Sequence, residues 1–155
     1  MAPKDLPPPP PLAPYLTVDD AHAAADFYVR AFGAVELSRQ PTPDGKKLIH
    51  VALSFNGGLL MLSDDFPEQS GGKARSPKAL GGTPVTLHLD LADVDTTWKQ
   101  AVEAGATVTM PLANMFWGDR YGKLRDPFGH EWSLATRQRE ASKAELDAGA
   151  EKHFG

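Results

Sequence analysis

A strand-like run followed by a capped helix occurs twice in this chain, and that duplication limits the fold more than any other feature. Val18-Asp19-Asp20 is answered by Leu91-Ala92-Asp93, 73 positions later, and Phe32-Gly33-Ala34 by Ala104-Gly105-Ala106, 72 positions later. In the first copy, residues 14–18 alternate like a strand, and Asp19 or Asp20 offers a helix N-cap. Ala24, Phe27, Tyr28, Ala31 and Phe32 then recur at helical spacing on one face, and Gly33 ends the helix. Strand-like runs follow at 34–39, 48–55 and 58–63, with turns at Pro43-Asp44-Gly45 and Asn56-Gly57. The second copy repeats the order. Residues 84–91 form a strand, Asp93 caps a helix with the stripe Val94, Trp98, Ala101 and Val102, and Gly105 stops it. Strands at 107–110, 119–125 and 131–136 complete it, the last two joined by Asp126-Pro127-Phe128-Gly129. Each half reads βαβββ and is too short to bury its own sheet alone. The expected fold is α+β: two βαβββ modules forming a curved mixed β-sheet cleft.

Around the modules the chain divides into a proline-rich leader (1–12), the first module (13–63), a linker (64–82), the second module (83–136) and a helical tail (137–155). The run Pro7 to Pro11 lacks amide donors and is expected as an extended arm outside the core; an SH3-type ligand is the alternative. The linker carries Ser, Gly, Pro and charge without a sustained period, and is expected to be mobile. In the tail, Ser142-Lys-Ala-Glu145 has the form of a capping box, which predicts a peripheral helix.

Composition removes several classes of function. Sixteen Lys and Arg against 20 Asp and Glu leave a formal charge of −4, with no overall attraction to nucleic acid or anionic lipid. The absence of cysteine excludes disulfides, thiolate nucleophiles and thiolate metal sites, so any metal would rest on His, Asp or Glu. No apolar run has the form of a secretory signal or a membrane span. The expected protein is soluble and cytoplasmic, without nucleic-acid or membrane partners. No nucleophile elbow, phosphate-cradling loop or dinucleotide fingerprint is present.

Strand parity sorts the side chains further. Val85, Leu87, Leu89 and Leu91 share one face of their strand, and Thr86, His88 and Asp90 the other. Ile49, Val51, Leu53 and Phe55 oppose His50, Ala52 and Ser54; Trp132 and Leu134 oppose Glu131, Ser133 and Ala135. The polar faces therefore hold two histidines and a carboxylate, with Tyr15, Thr17, Met61 and Ser63 completing a mixed lining. Such a face either meets water or walls a ligand pocket. Phe116-Trp-Gly-Asp-Arg-Tyr121 offers Arg120 to grip a carboxylate or phosphonate and Trp117 to stack on a planar ligand. The alternative has Trp117 plugging the core and Arg120 pairing with Asp119 or a neighbouring acid. Asp126 and His130 are read as turn builders, and His22 and His153 as solvated.

Three features carry a family resemblance: the paired repeat, Ala24-Ala-Asp-Phe-Tyr-Val-Arg-Ala-Phe-Gly33, and Asp126-Pro-Phe-Gly-His130. With them the chain resembles the vicinal-oxygen-chelate superfamily, also called the glyoxalase/bleomycin-resistance/dioxygenase superfamily. Leu60-Met-Leu-Ser63 and residues 116–133 look like its PhnB-like branch. The resemblance implies a homodimer with pockets shared between modules. It also implies metal ligands on the first and last strands of each module, positions that map here to Ala13, Met61, Thr86 and Ser133. None of these is a credible ligand set for a divalent cation. By parity His50, His88 and Glu131 form a displaced alternative. Two readings follow. The first is a metal-free, cofactor-free protein that binds or sequesters a small organic molecule in a dimeric cleft, through Tyr15, His50, His88, Trp117, Arg120 and Glu131. The second is a lyase, isomerase or dioxygenase using a divalent metal at His50, His88 and Glu131.

Overall fold

A computed structural model describes residues 8–155; the first seven residues of the expected leader, Pro7 included, lie outside the described residues. The chain forms two compact units. The first runs up to Pro84 and also includes Pro127–Gly129; the second holds Val85–Asp126 and His130–Gly155. Each contains one four-stranded mixed sheet with a helix, the arrangement expected of a βαβββ module.

In the first unit the elements are β1 (Tyr15–Val18), α1 (Ala21–Phe32), β2 (Val35–Pro41), β3 (Leu48–Phe55) and β4 (Gly58–Asp64). The sheet order is β1-β4-β3-β2, with β1 parallel to β4 and the other pairs antiparallel. Helix α1 starts where Asp20 accepts the Ala23 amide at 3.0 Å and stops where Gly33 turns left-handed at φ 72°. Its face of Ala21, Ala24, Ala25, Phe27, Tyr28, Ala31 and Phe32 is buried, as are Val51, Leu53 and Leu62 of the sheet. Each large apolar side chain so buried contributes about 1.5–3 kcal/mol. The Phe128 ring lies edge-on to Phe27 and Tyr28, with centroids 6.0 and 6.2 Å away. Residues 127–129 are thus part of this core although they come late in the chain.

The Asn56-Gly57 turn has positive φ at both residues, 47° and 84°, so it joins β3 to β4 with the twist that a two-residue hairpin prefers. At the other end of β3 the pairing departs from simple alternation. Gln40 faces His50 and Pro41 faces Leu48, leaving Ile49 as the extra residue of a bulge. Leu48 takes the core position at 0% exposure, and Ile49, expected in the core with Val51, is turned outward at 47%.

The segment expected as a mobile linker has structure of its own. It holds a single 3₁₀ turn at Pro67–Gln69 and a short helix α2 at Pro77–Leu80. One oxygen of Asp65 accepts the amides of Arg75 and Ser76 at 2.6 and 2.9 Å, and Ser76 caps α2. These are local side-chain-to-backbone bonds, which stabilise structure without leaving a hydrophobic period.

In the second unit β5 (Thr86–Asp90), α3 (Val94–Ala104), β6 (Thr107–Asn114), β7 (Asp119–Arg125) and β8 (Glu131–Arg137) form a sheet of order β5-β8-β7-β6, followed by α4 (Lys143–Phe154). Its buried residues are Val94, Ala101, Leu124, Trp132 and Leu134. The Trp132 indole donates to Asp126 at 2.8 Å, and the same carboxylate accepts the His130 amide, so Asp126 does build the turn. Strand β6 runs four residues past its expected end, through Pro111; it is an edge strand, where a missing amide costs little. Helix α4 is docked by Phe116, whose ring lies where a side chain at Gly149 would stand and stacks on His153 at 5.4 Å. His153 is therefore exposed, as expected, and is also a ring partner of Phe116. His22 is also engaged, near Gly45 O at 3.0 Å and Arg39 at 3.2 Å.

The duplication extends to one long-range bond. Asp64, at the end of β4, accepts the amide of Ala21, the first residue of α1, at 2.9 Å. Thr136, near the end of β8, accepts the amide of Val94, the first residue of α3, at 2.8 Å. In each unit the last strand ties down the start of the helix. Among the described residues no helix is long and apolar enough to cross a membrane.

Candidate functional site

On the first unit's sheet, register places Tyr15 beside Met61 and Thr17 beside Ser63, with Ala52 opposite Met61. This is the mixed face that parity predicts. An open cavity of about 510 Å³ lies over it, lined by Thr17, Ile49 and Ser63 from the sheet, Thr42 and Pro43 from the β2–β3 turn, and Asp64, Asp65, Phe66, Gln69, Ser70 and Arg75 from the following segment. The bulge turns Ile49 into this lining. Tyr15 and His50 do not line the cavity but stand paired, with the phenol oxygen 2.9 Å from His50 Nδ1. Partial burial raises the Tyr15 pKa above its ordinary value, so the hydroxyl is neutral at physiological pH and serves as a hydrogen-bonding group.

Sequence reasoning did not name Ile49, Phe66 or Arg75 as site residues. Ile49 leaves no trace in a period-two pattern. Ser76-Pro77, a capping residue followed by proline, was a readable helix start that would have fixed the backbone beside Arg75.

On the second unit's sheet the polar face holds His88, Ser133, Tyr121 and Lys123, with Lys123 opposite Ser133. His88 Nδ1 is 2.7 Å from Ser133 Oγ, and its Nε2 is 3.1 Å from Asp90. A hydroxyl, an imidazole and a carboxylate thus stand in sequence. Ser133 is only 3% exposed, which leaves no approach for an incoming carbonyl, so this trio orients His88 and does not form a nucleophile. The His88 ring stacks on Tyr121 at 6.1 Å, and Trp117 meets Tyr121 edge-on at 5.4 Å while its indole donates to Asp119. His88 and Trp117 are therefore joined through Tyr121. Glu131 is bound by Arg125 at 2.7 Å.

Arg120 is not on this face. It alternates with Tyr121 along β7, stands opposite Thr136, and is held by both oxygens of Asp95 on α3 at 2.9 and 3.0 Å. The expected grip on a ligand carboxylate is taken up by a protein carboxylate, the neighbouring-acid alternative. An Arg120→Ala variant is expected to melt within about 2 °C of the parent, because exposed ion pairs contribute little, and to bind ligand unchanged. Thermal denaturation and calorimetric titration check both.

The four positions mapped for metal ligands remain poor donors in the structure. Glu131 is level with Thr86, and His88 is level with Ser133, so the two displaced candidates are a pleat apart along neighbouring strands. Each of His50, His88 and Glu131 already has a protein partner. Among the described residues no group of three or more His, Asp or Glu is placed to hold a metal ion. These residues do not fit a divalent cation.

Comparison with known proteins agrees with the fold. The family model of the Glyoxalase/Bleomycin resistance protein/Dioxygenase superfamily matches residues 12–134. The chain is 56% identical over 139 residues to protein Mb0911c of Mycobacterium bovis, covering 90% of this chain and 91% of that one. Among solved structures it is similar to TioX from Micromonospora sp. ML1, with a TM-score of 0.64, 29% identity, and coverage of 81% of this chain and 97% of that one. It shares its fold with a PhnB protein from Bacillus cereus, with a TM-score of 0.62, 19% identity, and coverage of 82% and 99%.

Proposed function

Because this chain belongs to the glyoxalase/bleomycin-resistance/dioxygenase superfamily, we propose that it works as a metal-free binding protein that holds a small organic molecule against its sheet. The observation that carries this reading is the 510 Å³ cavity over the first unit's sheet, where Ile49 and Phe66 supply apolar wall and Thr17, Ser63, Gln69 and Arg75 supply polar groups. That mixture and size suit a drug-sized ligand. The poor fit of His50, His88 and Glu131 to a cation supports binding over metal chemistry. The Tyr15–His50 pair and the His88–Tyr121–Trp117 row are assigned as further ligand-facing surface. A homodimer in the cytoplasm, and membership of the PhnB-like branch through Leu60-Met-Leu-Ser63 and residues 116–133, belong to the same proposal.

Metal analysis of the purified protein together with native mass spectrometry tests it. The expected result is a dimer mass without stoichiometric metal, carrying an organic molecule that is lost in Gln69→Trp, a substitution that fills the cavity from an exposed turn. Stoichiometric Ni, Zn, Mn or Fe that disappears in His88→Ala would overturn the reading in favour of a metal-dependent lyase, isomerase or dioxygenase.

A further inference from the structure

We infer that the first unit's cavity selects organic acids, an oxyanionic head on an apolar body, and that Arg75 is the residue that recognises the head. The inference rests on the binding function proposed above and adds the chemical class of the ligand. Arg75 is the sole cation among the residues lining the cavity. Arg39, Lys78 and Lys47 of this unit are already engaged, Arg39 by Asp26 and Glu36, Lys78 by Asp19, and Lys47 by the Asp65 carbonyl oxygen at 2.8 Å and the Phe66 ring at 4.9 Å, while Arg30, Lys46 and Lys73 do not line the cavity. The Arg75 guanidinium has no ion pair or side-chain hydrogen bond among the described residues.

Both of the cavity's carboxylates accept backbone amides. Asp64 gives one oxygen to the Ala21 amide and the other to the Leu48 amide, at 2.9 and 2.7 Å. Asp65 uses one oxygen on the amides of Arg75 and Ser76. That last contact also fixes the Arg75 backbone, next to the buried cap Ser76, so the base of the side chain is placed before ligand arrives. A guanidinium with its donors unspent, on a side chain whose backbone is held, is the group that takes a carboxylate or phosphonate through two parallel hydrogen bonds. Ile49 and Phe66 then face the remainder of the molecule.

The test compares 2-naphthoate with its neutral isostere 2-naphthamide by calorimetric titration at low ionic strength. The parent is expected to bind the acid about tenfold more tightly than the amide, the scale of one charge-assisted bidentate contact. Arg75→Gln should remove that preference while leaving the amide's affinity and the melting temperature unchanged, and Arg75→Lys should restore part of it. Gln69→Trp should weaken both probes. If acid and amide bind equally and Gln69→Trp weakens both, the cavity binds but the anion inference fails. An acid preference that survives in Arg75→Gln also overturns it. Failure of the acid to bind at millimolar concentration removes the inference, and the absence of a co-purifying molecule would then remove the binding function with it.

Discussion

Asp64→Ala is expected to unfold roughly 6–12 °C below the parent, corresponding to a loss of about 3 kcal/mol in a protein of this size. Asp64 is 5% exposed and its two oxygens accept different backbone amides, Ala21 at the start of α1 and Leu48 at the start of β3. Truncation leaves two buried N–H groups without acceptors, and that desolvation cost exceeds the modest net value of the bonds themselves. Asp64→Asn keeps one acceptor but turns a second donor toward an amide, so an intermediate loss is expected. Thermal and urea denaturation check the order. A melting temperature for Asp64→Ala within 2 °C of the parent would show that water or a shifted backbone satisfies both amides.

Gly118→Ala is the second large effect, with an expected loss of about 2–4 kcal/mol. Gly118 has φ +104°, a region that L side chains rarely adopt, and a Cβ there would overlap the Arg139 carbonyl oxygen. Its own carbonyl accepts the amides of Gln138 and Arg139 at 3.0 and 3.2 Å. The clash is thus with backbone held by the same residue, and no flexible side chain can give way. Relief requires the segment after β8 to move, which would loosen α4 as well. Limited proteolysis of the parent and the variant should show the tail cut first in Gly118→Ala. Equal cleavage rates and equal melting temperatures would count against the stated cause.

The parts of the fold that were legible in the sequence are those set by neighbours in the chain. Asp20 and Asp93 cap helices, Gly33 ends one in the left-handed conformation, and Asn56-Gly57 makes the hairpin, each for reasons contained within a few residues. The shared face of Tyr15, Thr17, Met61 and Ser63 followed from period two. Ile49 was misplaced because a bulge shifts parity by one residue and has no compositional mark. Arg120 was a different kind of miss: its alternation with Tyr121 placed it with Gly122 and Leu124 on the helix side, but the aromatic crowding of 116–121 drew more weight. Nothing local announces that Asp64 reaches Ala21 or that Thr136 reaches Val94, since each bond spans more than 40 residues. The cavity depends on these non-local facts and on the 64–82 segment, which explains why its lining was the least readable part.

The discontinuity of the first unit bears on how the protein is made. Its core includes Phe128, yet its other elements are complete by Pro84, so a chain emerging from a ribosome presents the first sheet and α1 before the aromatic ring that covers Phe27 and Tyr28 exists. At about 5–20 residues per second, the interval of 44 residues from Pro84 to Phe128 lasts about 2–9 s. During that time the nascent first half carries an uncovered aromatic patch, a window for chaperone capture or for pairing with another nascent copy. The order of synthesis, more than the final contacts, then sets where this duplicated chain is vulnerable.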